Sequence, residues 1–146
     1  STQGVSSAAS DVYKRQEDEE AYQLLQDAYN DFLKIVLDNP DLRLRSATSR
    51  SDLSADQKER TLIIYEMLIA LFERAYIVSY VPNMRGVALR RWHSWDDYMR
   101  EWCRREDFYY LLPQLLRGED EDFADYIRAL AEQERADKVV HIGHKK

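Results

Sequence analysis

The chain has 146 residues, a single cysteine and a formal net charge of −6. That length suits one domain with a real core, one thiol excludes an internal disulfide framework, and the acidic balance weighs against nucleic-acid binding. Four glycines and three prolines are too few for a many-turned sandwich or barrel. Apolar/polar alternation is missing and spacings of three and four dominate. The fold class expected is therefore all-α: a compact bundle of about four to five helices around a central apolar helix at about 55–80.

Residues 1–16, STQGVSSAASDVYKRQ, are rich in Ser and Ala without a hydrophobic period, a composition that predicts disorder. A single helical domain is expected over 17–136. Its first helix, Glu17 to Asp38, carries a stripe of Ala21, Leu24 (or Leu25), Ala28, Phe32 (or Tyr29), Ile35 and Val36. Glu17 to Glu20 sit at the positive end of its dipole, and Asn39-Pro40 ends it. Leu42 to Leu53, with Arg43, Arg45 and Arg50, reads as a mobile surface loop.

The central stretch follows, TLIIYEMLIALFERAYIVSY over 61–80. Ser54 with Gln57 has the capping-box pattern, and Pro82, Asn83 and Gly86 supply the stop. The helix is apolar on nearly every face, which predicts burial by neighbours on several sides. Glu66, Glu73 and Arg74 interrupt it, so its apolar runs fall short of the roughly 20 residues that a membrane span needs.

Beyond the break, Arg85 to Arg91 is basic. Ser94 reads as the N-cap of a helix Trp95 to Arg105, with Trp95, Tyr98, Met99 and Trp102 on one face. Asp107 reads as the cap of a short helix, Phe108 to Leu116, in which Pro113 is either a kink or a restart. Gly118 ends it. The last helix starts at Asp120 or Asp122, buries Phe123, Tyr126, Ile127, Leu130 and Ala131, and fades near Ala136. Residues 137–146 read as a frayed tail. The two longest helices are expected to pack antiparallel.

The tryptophans and the arginines around them are the distinctive chemistry. Arg90, Arg91, Trp92, Trp95 and Arg100 are the candidate ligand or partner surface, because guanidinium forks phosphate and aromatic faces stack on planar groups. The competing reading has the indoles packed on the central helix and the arginines in water, paired along the helix as Asp97–Arg100, Glu101–Arg104 and Glu101–Arg105. Residues 82–105 carry six Arg against three acids, net +3, whereas 17–41 carry eight acids against one Lys, net −7, and 106–137 ten acids against three Arg, also −7. This modest basic stripe makes nucleic acid an unlikely partner.

No motif points to a metal or cofactor, and none is expected. His141-x-x-His144 lacks further ligands at suitable spacing. Glu119 to Asp122 lacks the spacing of a calcium loop and reads as a cap. An enzymatic reading would have to be built on His93 with Asp96, on Cys103 or on Glu66, and each has a plainer structural role available.

Several segments together suggest a family: an acidic first helix ending in DNPDL (38–42), YEMLIALFERAYIV (65–78), the Trp92, Trp95, Tyr98, Trp102 helix, and LLPQLLRGEDEDFADYI (111–127). In these the chain resembles small bacterial proteins carrying a helical domain of unknown function, often behind one N-terminal membrane helix. The resemblance implies a domain on the cytoplasmic, inner face of a membrane, with no catalytic residues to carry over. Residues 1–16, SSAASDVYKRQ above all, resemble translated sequencing-adaptor read-through of environmental assemblies, which implies that the native N-terminus lies elsewhere. The function expected is non-enzymatic: an interaction domain that meets an unknown protein partner at the end of the bundle formed by Arg91, Trp92 and the following helix. The alternative is a binder of an anionic small molecule or lipid headgroup through the Trp/Arg face.

Overall fold

The computed structural model describes residues 2–144, without the side chains of residues 2–6 and 139–144. It is all-helical over those residues: α1 (Thr2–Leu37), a 3-10 turn (Pro40–Leu42), α2 (Ala55–Ser79), α3 (Gly86–Cys103), α4 (Glu106–Leu115) and α5 (Glu121–His144). The central helix is where its local signals put it. Ser54 Oγ accepts from the Gln57 backbone N–H at 3.1 Å, and Gln57 Oε1 accepts from the Ser54 N–H at 2.9 Å, which completes the capping box.

Cross-helix pairs give the directions. Tyr65, Phe72 and Tyr76 of α2 meet Trp102, Trp95 and Trp92 of α3, a descending order that makes the two helices antiparallel. Asn39 meets Arg60 and Tyr29 meets Phe72, so α1 is antiparallel to α2 as well. Between α1 and α3 the sequence separation of bonded pairs stays at 72 or 73, from Glu19–Arg91 through Gln26–Tyr98 to Tyr29–Trp102, which means parallel helices in fixed register. Trp92–Tyr126 and Arg100–Glu134, both separated by 34, do the same for α3 and α5. Thus α1, α3 and α5 run one way and α2 runs back across them; the short α4 also runs back, from Asp107 and Phe108 beside Tyr65 towards Asp120 beside Glu73.

α1 extends over residues 2–16, where every side chain from Ser7 to Glu20 is exposed, and α5 continues through residue 144. Two expected helix starts are corrected. α3 begins at Gly86 rather than at Trp95, so Ser94 is no cap. Gly86 takes φ +61°, which sets the turn into the helix, and Val87 to Arg91 continue without a breaker. α4 begins at Glu106, and Pro113 lies within it without a restart. Asp120, by contrast, does cap α5, accepting from the Phe123 N–H at 3.0 Å.

The 43–53 segment, read as mobile, is tied down by Arg105. Only 2% of Arg105 is exposed. Its Nε donates to Asp107 Oδ1 (2.7 Å) and Tyr65 Oη (2.6 Å), and its Nη1 donates to the carbonyls of Arg43 (2.5 Å) and Ser46 (2.9 Å). Around it the Glu106 N–H donates to the Ala47 carbonyl and the Asp107 N–H to Ser49 Oγ. Leu42 and Leu44 are buried beside it. Asp107 therefore serves as the counter-ion of Arg105, not as a helix cap. Burial works against the guanidinium charge, but the Asp107 carboxylate and the Tyr65 hydroxyl outweigh it and raise its pKa. At the other end of the segment, Arg60 bonds Asn39 and both oxygens of Asp41, which gives the DNPDL sequence its role as a clamp between α1 and α2.

Two predictions follow from this frame. Arg105→Ala strands Asp107 and two carbonyls, so it should cost about 3–5 kcal/mol in urea unfolding and speed amide exchange of residues 43–53. Glu119 lies against Glu73, and burial together with that neighbouring carboxyl pushes it up from 4.5 to about 7. An acid with a raised folded pKa gives up a proton on unfolding between those values. Its contribution to stability is therefore lost as pH rises from about 4.5 to about 7. Glu119→Gln should raise the melting temperature above that of the parent at pH 8 and leave it unchanged at pH 4.

Candidate functional site

Trp92, Trp95, Met99 and Trp102 recur at helical spacing on α3 and form its buried face. This divides the candidate surface in two: the indoles point into the bundle and the guanidiniums stay outside. Trp95 is boxed by Tyr29, Phe72 and Tyr98, each edge-on, and its N–H has no hydrogen-bond partner among the described residues. Trp102 Nε1 donates to Tyr29 Oη at 3.0 Å. Trp92 and Trp102, although buried, each line an opening, and that of Trp92 is the larger.

That opening is a groove of about 400 Å³ at the end of the bundle where α2 stops and α3 starts. Val81, Met84 and Leu89 form its apolar rim, and Tyr80, Trp92 and Tyr126 its aromatic wall. The three rings lie 5.2–5.8 Å apart between centroids at angles of 58–69°. Rings that close are in direct contact, so a guest lies along the rim rather than between them. His93, Asp96 and Arg100 bring polar groups to the same space.

Those polar groups are joined in one chain. Trp92 Nε1 donates to Tyr126 Oη at 3.0 Å, and Tyr126 Oη donates to Asp96 Oδ2. Arg100 Nε donates to Asp96 Oδ1 (2.7 Å), and its Nη1 donates to Glu134 Oε1 (3.2 Å). Arg104 Nε donates to Glu134 Oε2 at 2.8 Å. Burial and the Asp96 carboxylate raise the Tyr126 phenol well above its usual range. Burial would raise Glu134 too, but the Arg104 and Arg100 guanidiniums hold it below the ordinary carboxylate value. Of the pairings expected within α3 none forms as expected: Arg100 takes Asp96 within the helix and Glu134 on α5, Arg104 takes Glu134, and Glu101 takes Arg45.

Of the remaining candidates, Arg91 pairs with Glu19 and lies over the Tyr22 ring at 5.1 Å, and Arg90 is exposed on the outer surface of α3. A second recess of about 300 Å³, between Leu44 to Ala47 and the end of α3, is occupied by internal bonds. There Arg45 pairs with Glu101 and covers the Trp102 ring. His93, Cys103 and Glu66 are not brought together: His93 lines the groove, Glu66 is exposed on α2, and Cys103 is buried. Burial and the nearby Glu134 push the Cys103 thiol up to about 12, so it is a neutral thiol near pH 7. No group of three or more metal-ligating side chains occurs among the described residues, and the side chains of His141 and His144 lie outside them. Among the described residues no helix is long and apolar enough to cross a membrane.

Comparisons with protein-family models, curated proteins and solved structures find no match to this chain. The groove therefore has to be judged on its own chemistry. Tyr80, Met84 and Tyr126 join it from three different segments. The sequence reading put Arg100 with Asp97, one residue from Asp96, the partner it has.

Tyr126→Phe removes the one group that satisfies both the Trp92 N–H and Asp96. It should cost about 1–3 kcal/mol in chemical unfolding, with the Asp96–Arg100 pair left in place. Trp92→Phe should cost stability of its own, and a double-mutant cycle of the two should show a coupling of about 1 kcal/mol if the stranded indole N–H is the cause.

Proposed function

We propose that this chain is a non-catalytic helical interaction domain that receives a protein partner at the end of the bundle, in the groove between α2, α3 and α5. The carrying observation is the groove itself, whose apolar rim of Val81, Met84 and Leu89 stands in front of a rigid aromatic wall. A volume of about 400 Å³ suits a bulky apolar side chain, the anchor that protein contacts commonly use. The wall is braced by bonds to α5, so little ordering is left to be lost on binding.

The charge arrangement favours a protein over an anionic small molecule or headgroup. Arg100, the arginine lining the groove, already faces two carboxylates, and the Asp96 carboxylate faces the same space. Arg91 is likewise paired. The family resemblance adds a location to the proposal, the inner face of a bacterial cell membrane, to which a preceding segment would tether the domain.

Leu89→Glu puts a charge on the rim at a position 36% exposed, so it should cost about 1–2 kcal/mol and leave the helical circular dichroism unchanged. In cells of the source, a partner crosslinked to the parent domain should be lost with Leu89→Glu and kept with Arg90→Ala. A native mass spectrum of the purified domain should give the polypeptide mass alone. A retained anionic small molecule, released by Arg90→Ala, would overturn the protein reading in favour of the anionic ligand.

A further inference from the structure

The outer face of α2 departs from the expectation that this helix is covered on several sides. Ile63, Met67 and Ile77 are exposed by 49%, 43% and 60%, and Ala70 is exposed between them. At 100° per residue, Ile63, Glu66, Met67, Ala70, Arg74 and Ile77 fall within about 60° of one line whose centre is Ala70. This is a solvent-facing strip some 21 Å long on the best-buttressed helix of the fold.

About Ala70 four of the strip's residues pair symmetrically, with the charges exchanged, while Met67 falls opposite Glu73, which is engaged with the Asp120 N–H. Seven residues either side of Ala70 stand Ile63 and Ile77. Four residues either side stand Glu66 and Arg74. Both of these are exposed, and neither is engaged by an opposite charge among the described residues. They cannot reach each other, because eight residues of helix separate them by about 12 Å along the axis.

We infer that a second copy of this chain docks here, α2 against α2 and antiparallel, with the two-fold axis passing beside Ala70. In that arrangement residue i faces residue 140 − i of the other copy. Ile63 then meets Ile77, and Glu66 meets Arg74, each twice by symmetry, as a two-fold interface requires. The small side chain of Ala70 at the crossing lets the helices approach closely. An unrelated helix would have no reason to match both the apolar and the charged pairs of this strip. The interface is one helix face wide, below about 1,200 Å² in total, so the dimer dissociates on dilution. It leaves the groove at the end of α2 open and does not depend on what binds there.

Sedimentation equilibrium of the full chain tests this between roughly 10 μM and 1 mM. The parent should pass from monomer to dimer across that range. Glu66→Arg, which sets like charges opposite each other at two places, should weaken the dimer at least tenfold, and Ala70→Arg should abolish it. Glu66→Arg combined with Arg74→Glu should restore the parent affinity. All three positions are solvent-exposed, so the variants should keep the parent's circular dichroism, and the restored double variant checks the fold independently. A chain that stays monomeric throughout overturns the proposal. So does a dimer indifferent to Ala70→Arg, or a double variant as weak as Glu66→Arg alone.

Discussion

A guanidinium buried away from water has to be surrounded by acceptors, and Arg105 meets that demand by drawing three segments together. Tyr65 comes from α2, Asp107 from the start of α4, and two carbonyls from the connector that follows α1. Removing one partner leaves the charge underpaid, which is why so irregular a stretch as residues 43–53 holds a definite course. The path of that connector in turn sets where the DNPDL clamp meets Arg60, and so where α1 lies on α2.

Above this anchor the fold is laminated by aromatic rings. α3 is the middle layer: its three indoles touch α2 on one side, while Trp102 bonds α1 and Trp92 bonds α5. Constant separations of 72–73 and of 34 residues between bonded partners show that the helices are held in register along their length and not only at their ends. The arginines on the outer side of α3 then find carboxylates on α1 and α5, while Glu101 of α3 takes Arg45 of the connector. What the composition presents as a basic stripe is mostly consumed in holding helices to one another.

The features legible in the sequence are those whose cause is local. The Ser54–Gln57 box, the Asp120 cap and the α3 stripe each depend on residues within one or two turns. The all-helical class follows from the same periodicity. Features set by distant partners were not legible. Arg105 lies 62 residues from Arg43, and Arg100 lies 34 from Glu134. Ser94 looks like a cap because its residue type suits one, yet the helix had already begun at Gly86, and a good cap residue cannot interrupt an established ladder. Of the five surface candidates, Trp95 is enclosed by rings, and Arg91 and Arg100 are paired with carboxylates. Trp92 remains as part of a wall whose other members come from elsewhere in the chain. The apolar character of α2 was plain, but which of its faces stays open depends on where four neighbours sit.

The directions of the helices have an electrical consequence. Each long helix carries about half a positive charge at its N-terminus and half a negative one at its C-terminus. In most antiparallel bundles these alternate and cancel. Here α1, α3 and α5 point one way, and only α2 and the short α4 oppose them, so the bundle keeps a net dipole along its axis. The ionisable residues oppose that dipole locally. Glu121 and Asp122 occupy the first turn of α5, and Arg100 and Arg104 stand at the last turn of α3. The molecule is therefore polarised end to end in its backbone while its side chains offset the field, and in an external field or beside a charged surface it has a preferred way round.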